Sequence, residues 1–132
     1  MPEAPRPVQM IHRILVVEDD YQLADLLSEV LTRENFTPEL AANGMEALEK
    51  LCGADYDAVI CDLMMPRIDG EALYREVAER YPFLANRFLF ITGEASRRRG
   101  FSDFVYRSGG VLLEKPFDIE QLRSALKELL AR

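Results

Sequence analysis

Glu18, Asp19, Asp62, Thr92 and Lys115 are the residues whose types and placement could carry chemistry, because each stands at the end of a short apolar run. The runs read ILVVEDD from residue 14, VICDLMMPRIDG from residue 59, FITG from residue 90 and LLEKPF from residue 112. A carboxylate at the end of a buried run is costly unless its charge is offset. Lys115 brings one positive charge against at least three carboxylates, and a divalent cation would fill that deficit. Hard oxygen ligands with no His or Cys beside them favour Mg²⁺, held by a few carboxylates and several waters. A cation, a lysine and a hydroxyl together cradle the oxygens of a phosphoryl group. Asp62, between them, is the natural acceptor.

The chain between these residues must bring them to one place. From Arg13 on, short apolar runs alternate with segments of helical period, the pattern of βαβ units closing on a parallel sheet. Residues 14–17 read as the first strand. Leu23, Leu26, Leu27, Val30 and Leu31 then recur at helical spacing behind a cap at Asp20. Residues 37–41 form the second strand, and Asn43 with Glu46 makes a capping-box-like pair opening a helix with Met45, Leu48 and Leu51 on one side. Residues 58–61 form the third strand. A turn at Pro66 leads to a helix from about Gly70 to Arg80, capped by Asp69, with Leu73 and Val77 facing in.

Residues 88–91 and 111–113 are the fourth and fifth strands, continuously apolar as expected where helices cover both faces. Residues 96–107 predict a weak helix between them, with Arg97, Arg98 and Arg99 in a row and Gly100 in its interior, where glycine costs about 1 kcal/mol relative to alanine. Asp118 and Gln121 open a last helix through Ile119, Leu122, Leu126, Leu129 and Leu130, reaching Arg132. In an open α/β sheet, ligands bind outside the carboxyl ends of the strands. All the candidate residues fall there.

The chain has 132 residues, 48% of them hydrophobic, which is enough for one core. Sixteen basic against twenty-three acidic residues give a formal charge of -7, which argues against binding nucleic acid or an anionic membrane through a general basic surface. No stretch approaches the roughly 18 to 20 apolar residues needed to cross a bilayer, and the start lacks the pattern of a secretion signal. The expectation is a cytoplasmic protein with no membrane insertion and no direct nucleic-acid contact. Cys52 and Cys61 have neither metal-ligand spacing nor a disulfide framework and read as small, reduced core residues. Three prolines among the first seven residues point to a flexible tail over residues 1–10, with the folded domain over residues 11–132.

From about His12 to Arg132 the sequence resembles the receiver domain of two-component signalling, the response-regulator fold. Each quoted run is weak alone, and four in this order with ordinary spacing are strong. The resemblance implies a flavodoxin-like, doubly wound (βα)5 α/β fold with a five-stranded parallel sheet of order 2-1-3-4-5. It implies Asp62 as phosphoacceptor and Glu18 and Asp19 as the acidic pair that binds Mg²⁺, with Asp62 and the backbone carbonyl of Met64 as further ligands. Thr92 matches the hydroxyl residue that contacts the phosphoryl group, and Lys115 the lysine that pairs with it, before a cis bond to Pro116. Pro66 and Gly70 match turn positions. The implied partners are a histidine kinase or histidine phosphotransfer protein as donor and a downstream protein target, with a phosphorylation-dependent homodimer as a further option. Such a protein is a signalling module rather than an enzyme. With the last helix reaching Arg132, the expectation is a single-domain regulator.

Blander readings stand beside these. Lys115 could be a surface cation, but three lysines occur beside thirteen arginines, and a compact ammonium suits a point phosphate contact. Thr92 could be a strand-end residue, but Gly93 follows it and would let the backbone approach a ligand. Glu18 could be a solvated carboxylate; one methylene longer than aspartate, it binds a metal either directly or through water. Asp20 reads as a helix cap, the arginine run as a solvated face, and His12 as a surface residue rather than a phosphodonor. One departure concerns Leu112, which stands where many receivers carry the Tyr or Phe that swings inward on activation. The alternatives are a leucine that repacks in its place and a switch through the Gly100-weakened helix. Two rivals complete the reading. A pseudo-receiver docking module is opposed by the intact Asp19, Asp62, Thr92 and Lys115 set. A phosphatase using Asp62 as nucleophile is opposed by Met64, where an acid should stand.

Overall fold

A computed structural model describes residues 12–65, 68–93 and 102–131. The expected tail, the turn at Pro66, the arginine run and Gly100 lie outside the described residues. Five strands, β1 (Arg13–Val17), β2 (Thr37–Ala41), β3 (Ala58–Asp62), β4 (Phe88–Thr92) and β5 (Val111–Glu114), form one parallel sheet in the order β2-β1-β3-β4-β5. β3 and β4 are buried along their whole length, because helices cover both faces and leave no polar side to the pleat. Strand order reverses between β1 and β3, which opens a crevice at their carboxyl ends.

The helices are α1 (Tyr21–Arg33), α2 (Gly44–Gly53), α3 (Gly70–Arg80), α4 (Ser102–Ser108) and α5 (Ile119–Leu130), with a short 3₁₀ turn at Pro82–Leu84. Their starts follow the expected caps, each satisfying amides that the first helical turn leaves unpaired. Asp20 accepts from the amides of Gln22 and Leu23, and Asp69 from that of Ala72. Asp118 and Gln121 form a full capping box at 2.8 and 2.9 Å. Asn43 caps Glu46, but the Glu46 carboxylate reaches one residue further back, to the Ala42 amide. α1 ends where Asn35 takes a φ of 70°, tolerated by its short polar side chain. There the Phe36 amide closes on Leu31 O and the Asn35 amide on Thr32 O, a Schellman ending.

Three apolar helix positions fall elsewhere than the periodicity predicts. Leu26, Met45 and Ile119 are exposed, while Ala24 and Ala47 take the buried places on α1 and α2. Each helix meets the sheet along a stripe narrower than its apolar set. Cys52 is also exposed, against its expected core position, whereas Cys61 is buried in β3. The predicted weak helix is described from Ser102 onward. One core, beneath α2, α3 and α4, contains Leu15, Val59, Leu73, Val77, Phe88, Phe90 and Phe104. The other, beneath α1 and α5, contains Ile14, Leu27, Ile60, Leu89, Leu122 and Leu126. Among the described residues no helix is long and apolar enough to cross a membrane.

Candidate functional site

Strand register sets the site. Val17 pairs with Cys61, so the next residue of each strand, Glu18 and Asp62, emerges at the same level of the crevice. The Glu18 amide continues the ladder to Ala41 O at 3.0 Å, and Leu63 N continues it to Ile91 O. Both acids therefore project from paired backbone. Glu18 is 2% exposed and Asp62 5%, whereas Asp19 is open to solvent. Carboxylate oxygens of the three lie within 4.8 Å of one another.

On the other side, the Lys115 amide donates to Thr92 O at 2.8 Å, which fixes where the lysine leaves β5. Its ammonium comes 3.5 Å from Asp62 Oδ2, while Asp62 Oδ1 accepts from the Met64 amide at 2.9 Å. The Lys115–Pro116 bond is cis, as the resemblance implied. Gly70 packs directly on the backbone that presents Asp62: a Cβ there would stand 2.8 Å from both Asp62 O and Leu63 Cα. Glu18, Asp19, Asp62 and Lys115 are thus brought together. Thr92 lies at the same sheet edge and is buried, but its hydroxyl donates to Gly93 O at 3.3 Å rather than to Asp62. Among the described residues, a Cβ on Gly93 would meet Lys115 Cδ at 3.8 Å, an ordinary van der Waals contact.

The charge balance is unfavourable for the protein alone. Burial, and then the charge of Asp62, pushes the Glu18 carboxyl up to about 8, with the Asp20 amide and Lys115 pulling the other way. Glu18 Oε2 accepts from the Asp20 amide at 3.1 Å. Oε1 is buried with no hydrogen-bond partner among the described residues. An orphaned carboxylate oxygen beside two further acids, with only oxygen donors at hand, fits a hard divalent cation such as Mg²⁺. The reading of Glu18 as a solvated carboxylate is overturned by its register position beside Asp62.

Leu112 is 39% exposed on β5, its neighbours Val111 and Leu113 being the buried ones. The aromatic side chains Tyr74, Phe88, Phe90 and Phe104 cluster on the face of the sheet that Leu112 shares, Phe90 being its register partner on β4. Tyr74 escaped the sequence reading because it lies one position off the Leu73 and Val77 stripe.

A family model described as the response regulator receiver domain matches residues 14–127. The response regulator ArlR of Staphylococcus aureus is 31% identical over 120 residues, covering 91% of this chain and 53% of ArlR. ArlR of Staphylococcus epidermidis is 31% identical over 119 residues, covering 90% and 52%. The chain spans about half the length of these curated relatives. Among solved structures, response regulator TrrA of Thermotoga maritima in complex with Mg(2+)-BeF is similar at a TM-score of 0.78 and 31% identity, covering 91% of this chain and 100% of that one. The chemotaxis protein CheY4 of Vibrio cholerae is similar at 0.81 and 28% identity, covering 92% and 100%.

Proposed function

The chain belongs to the response regulator receiver family, and from that premise we propose that Asp62 accepts a phosphoryl group from the phosphohistidine of a histidine kinase or histidine phosphotransfer protein, in a Mg²⁺-dependent reaction. The observation that carries this reading is the near-buried Asp62 carboxylate, held by the Met64 amide on one oxygen and faced by the Lys115 ammonium on the other. An Asp62 oxygen attacks phosphorus, the bond from phosphorus to the donor imidazole breaks, and an acyl phosphate forms.

Each remaining side chain has a task in that reading. Glu18, Asp19 and Asp62, with the Met64 carbonyl, would hold Mg²⁺. Bound there, the cation would offset the negative charge of the incoming group. Lys115 pairs with a phosphoryl oxygen as a point charge. Thr92 gives up its contact with Gly93 O and turns its hydroxyl to the phosphoryl group. Residues 11–132 act as one receiver unit, and the modified form signals by altered binding to a protein target.

Incubation with acetyl phosphate or a phosphohistidine donor, with and without Mg²⁺, tests the reading by intact mass. Wild type gains one phosphoryl group only with Mg²⁺, and Asp62→Asn gains none. Equal labelling of the two proteins removes Asp62 as acceptor, and no labelling from any donor leaves the docking module.

A further inference from the structure

α4 is fastened at its carboxyl end. The Ser108 hydroxyl donates to Val105 O at 2.7 Å and accepts from the Gly110 amide at 3.0 Å, so the last helical turn and the entry to β5 close on each other. Gly110 lies flush on the Phe90 ring, where a Cβ would stand 2.6 Å from Cε2. Phe104, buried on α4, meets Phe90 edge-on with centroids 5.3 Å apart. Phe88, Phe90 and Thr92 alternate along β4 and so share a face of the sheet. Thr92 and the aromatic rings form one row.

Tyr74 closes this row from α3. Its ring meets Phe88, Phe90 and Phe104 at 5.0, 5.8 and 5.5 Å. Its hydroxyl lies 2.8 Å from Ala85 O and 3.3 Å from Ser108 O. A phenol has one proton to donate, so two carbonyls compete for it. Ala85 belongs to the turn before β4 and Ser108 to α4. The hydroxyl therefore ties the end of α4 to α3 and to the root of β4, in an arrangement where the Thr92 hydroxyl is committed to Gly93 O.

We propose that the Tyr74 hydroxyl is a latch that holds α4 in this arrangement, and that the Phe104 and Phe90 rings couple the position of α4 to Thr92. The latch rests on the phosphoacceptor reading of Asp62 and names its regulation. A phosphoryl group at Asp62 needs the Thr92 hydroxyl, and recruiting it moves the row of rings against the latch. Coupling of this kind is reciprocal, so loosening the latch tightens binding at the acid site. The route runs beneath α4 and needs no aromatic at position 112.

Tyr74→Phe keeps the ring and removes only the hydroxyl. Mg²⁺ alone binds this variant as it binds wild type by titration calorimetry. Beryllofluoride with Mg²⁺ binds it roughly three- to tenfold tighter, the range set by losing one hydrogen bond from one of two states. Amide exchange at residues 105–110 speeds up. In a Phe104→Leu background the same hydroxyl removal gives no further gain, because the ring contact that carries the coupling is gone. Unchanged or weaker beryllofluoride binding in Tyr74→Phe, with wild type binding normally, overturns the latch and leaves the phosphoacceptor reading standing. A gain that persists in the Phe104→Leu background overturns the coupling through the rings. Wild type that binds no beryllofluoride overturns the phosphoacceptor reading and the latch with it.

Discussion

The Lys115 ammonium stands 3.5 Å from Asp62 Oδ2, its side chain 38% exposed while that of Asp62 is 6% exposed. One half-open cation thus faces a nearly buried carboxylate that also repels Glu18. Solvent weakens the attraction more than the repulsion, because the repelling pair lies deeper. Above about pH 8, where Glu18 carries its charge, Asp62→Asn therefore stabilises the metal-free protein by about 1 kcal/mol: it relieves the repulsion and leaves an amide oxygen for the Met64 amide. Urea unfolding in EDTA reads the effect as a higher midpoint. A lower midpoint would mean that the lysine outweighs the acids.

Glu18 makes the stability of the metal-free protein depend on pH. Its carboxyl is pushed up to about 8 in the fold from an ordinary value of 4.5, so the folded state binds the extra proton across that window. Stability therefore falls as pH rises from about 4.5 to about 8, by an amount on the order of a few kcal/mol. Unfolding midpoints at pH 5 and pH 8 in EDTA should differ in that direction. Glu18→Gln flattens the difference, since the amide carries no proton to lose. Saturating Mg²⁺ flattens it as well by favouring the carboxylate. A profile in wild type as flat as in Glu18→Gln would sink the assignment.

The strands were legible because a parallel sheet covered on both faces demands unbroken apolar runs, and residues 88–91 and 58–61 supply them. The caps were legible because Asp20, Asp69 and Asp118 stand just before segments of helical period, where their side chains accept from amides of the first turn. Helical period was a poorer guide to depth. It names a face without its edges, so Leu26 and Met45 count as core by spacing and are exposed in the fold. Glu18 shows the same limit at the site. Its place at a strand end made it a metal-binding candidate, but its depth was not legible, and the pairing of Val17 with Cys61 sets it beside Asp62 under cover. Tyr74 depends on contacts to Ala85 and Ser108, 11 and 34 residues away, which no local pattern encodes.

The two cysteines should separate cleanly by reactivity. Cys61 is buried, and burial followed by the charges of Asp62 and Glu18 pushes its thiol well above the ordinary value, so little thiolate forms. Cys52 is exposed at the end of α2. A disulfide-exchange reagent at neutral pH should titrate one thiol per chain in the native protein and two in denaturant. Fast reaction of both in the native state would contradict the packing around β3.

Gly70 and Gly53 should respond oppositely to alanine. At Gly70 the added methyl would meet backbone, 2.8 Å from Asp62 O and Leu63 Cα, and neither can rotate aside. The strand end that presents Asp62 has to shift, at a cost of about 1 to 3 kcal/mol. Labelling by acetyl phosphate should slow several-fold, because displacement of the acceptor oxygen weakens its alignment for attack. At Gly53, the last residue of α2, nothing among the described residues lies within 4 Å of the added methyl. Alanine there removes backbone freedom from the unfolded chain and should stabilise by about 0.5 to 1 kcal/mol. Thermal unfolding of both variants beside wild type checks the stabilities, and labelling rates check the site. If Gly70→Ala labelled at the wild-type rate, the close contact between α3 and the Asp62 backbone would have no part in positioning the acid.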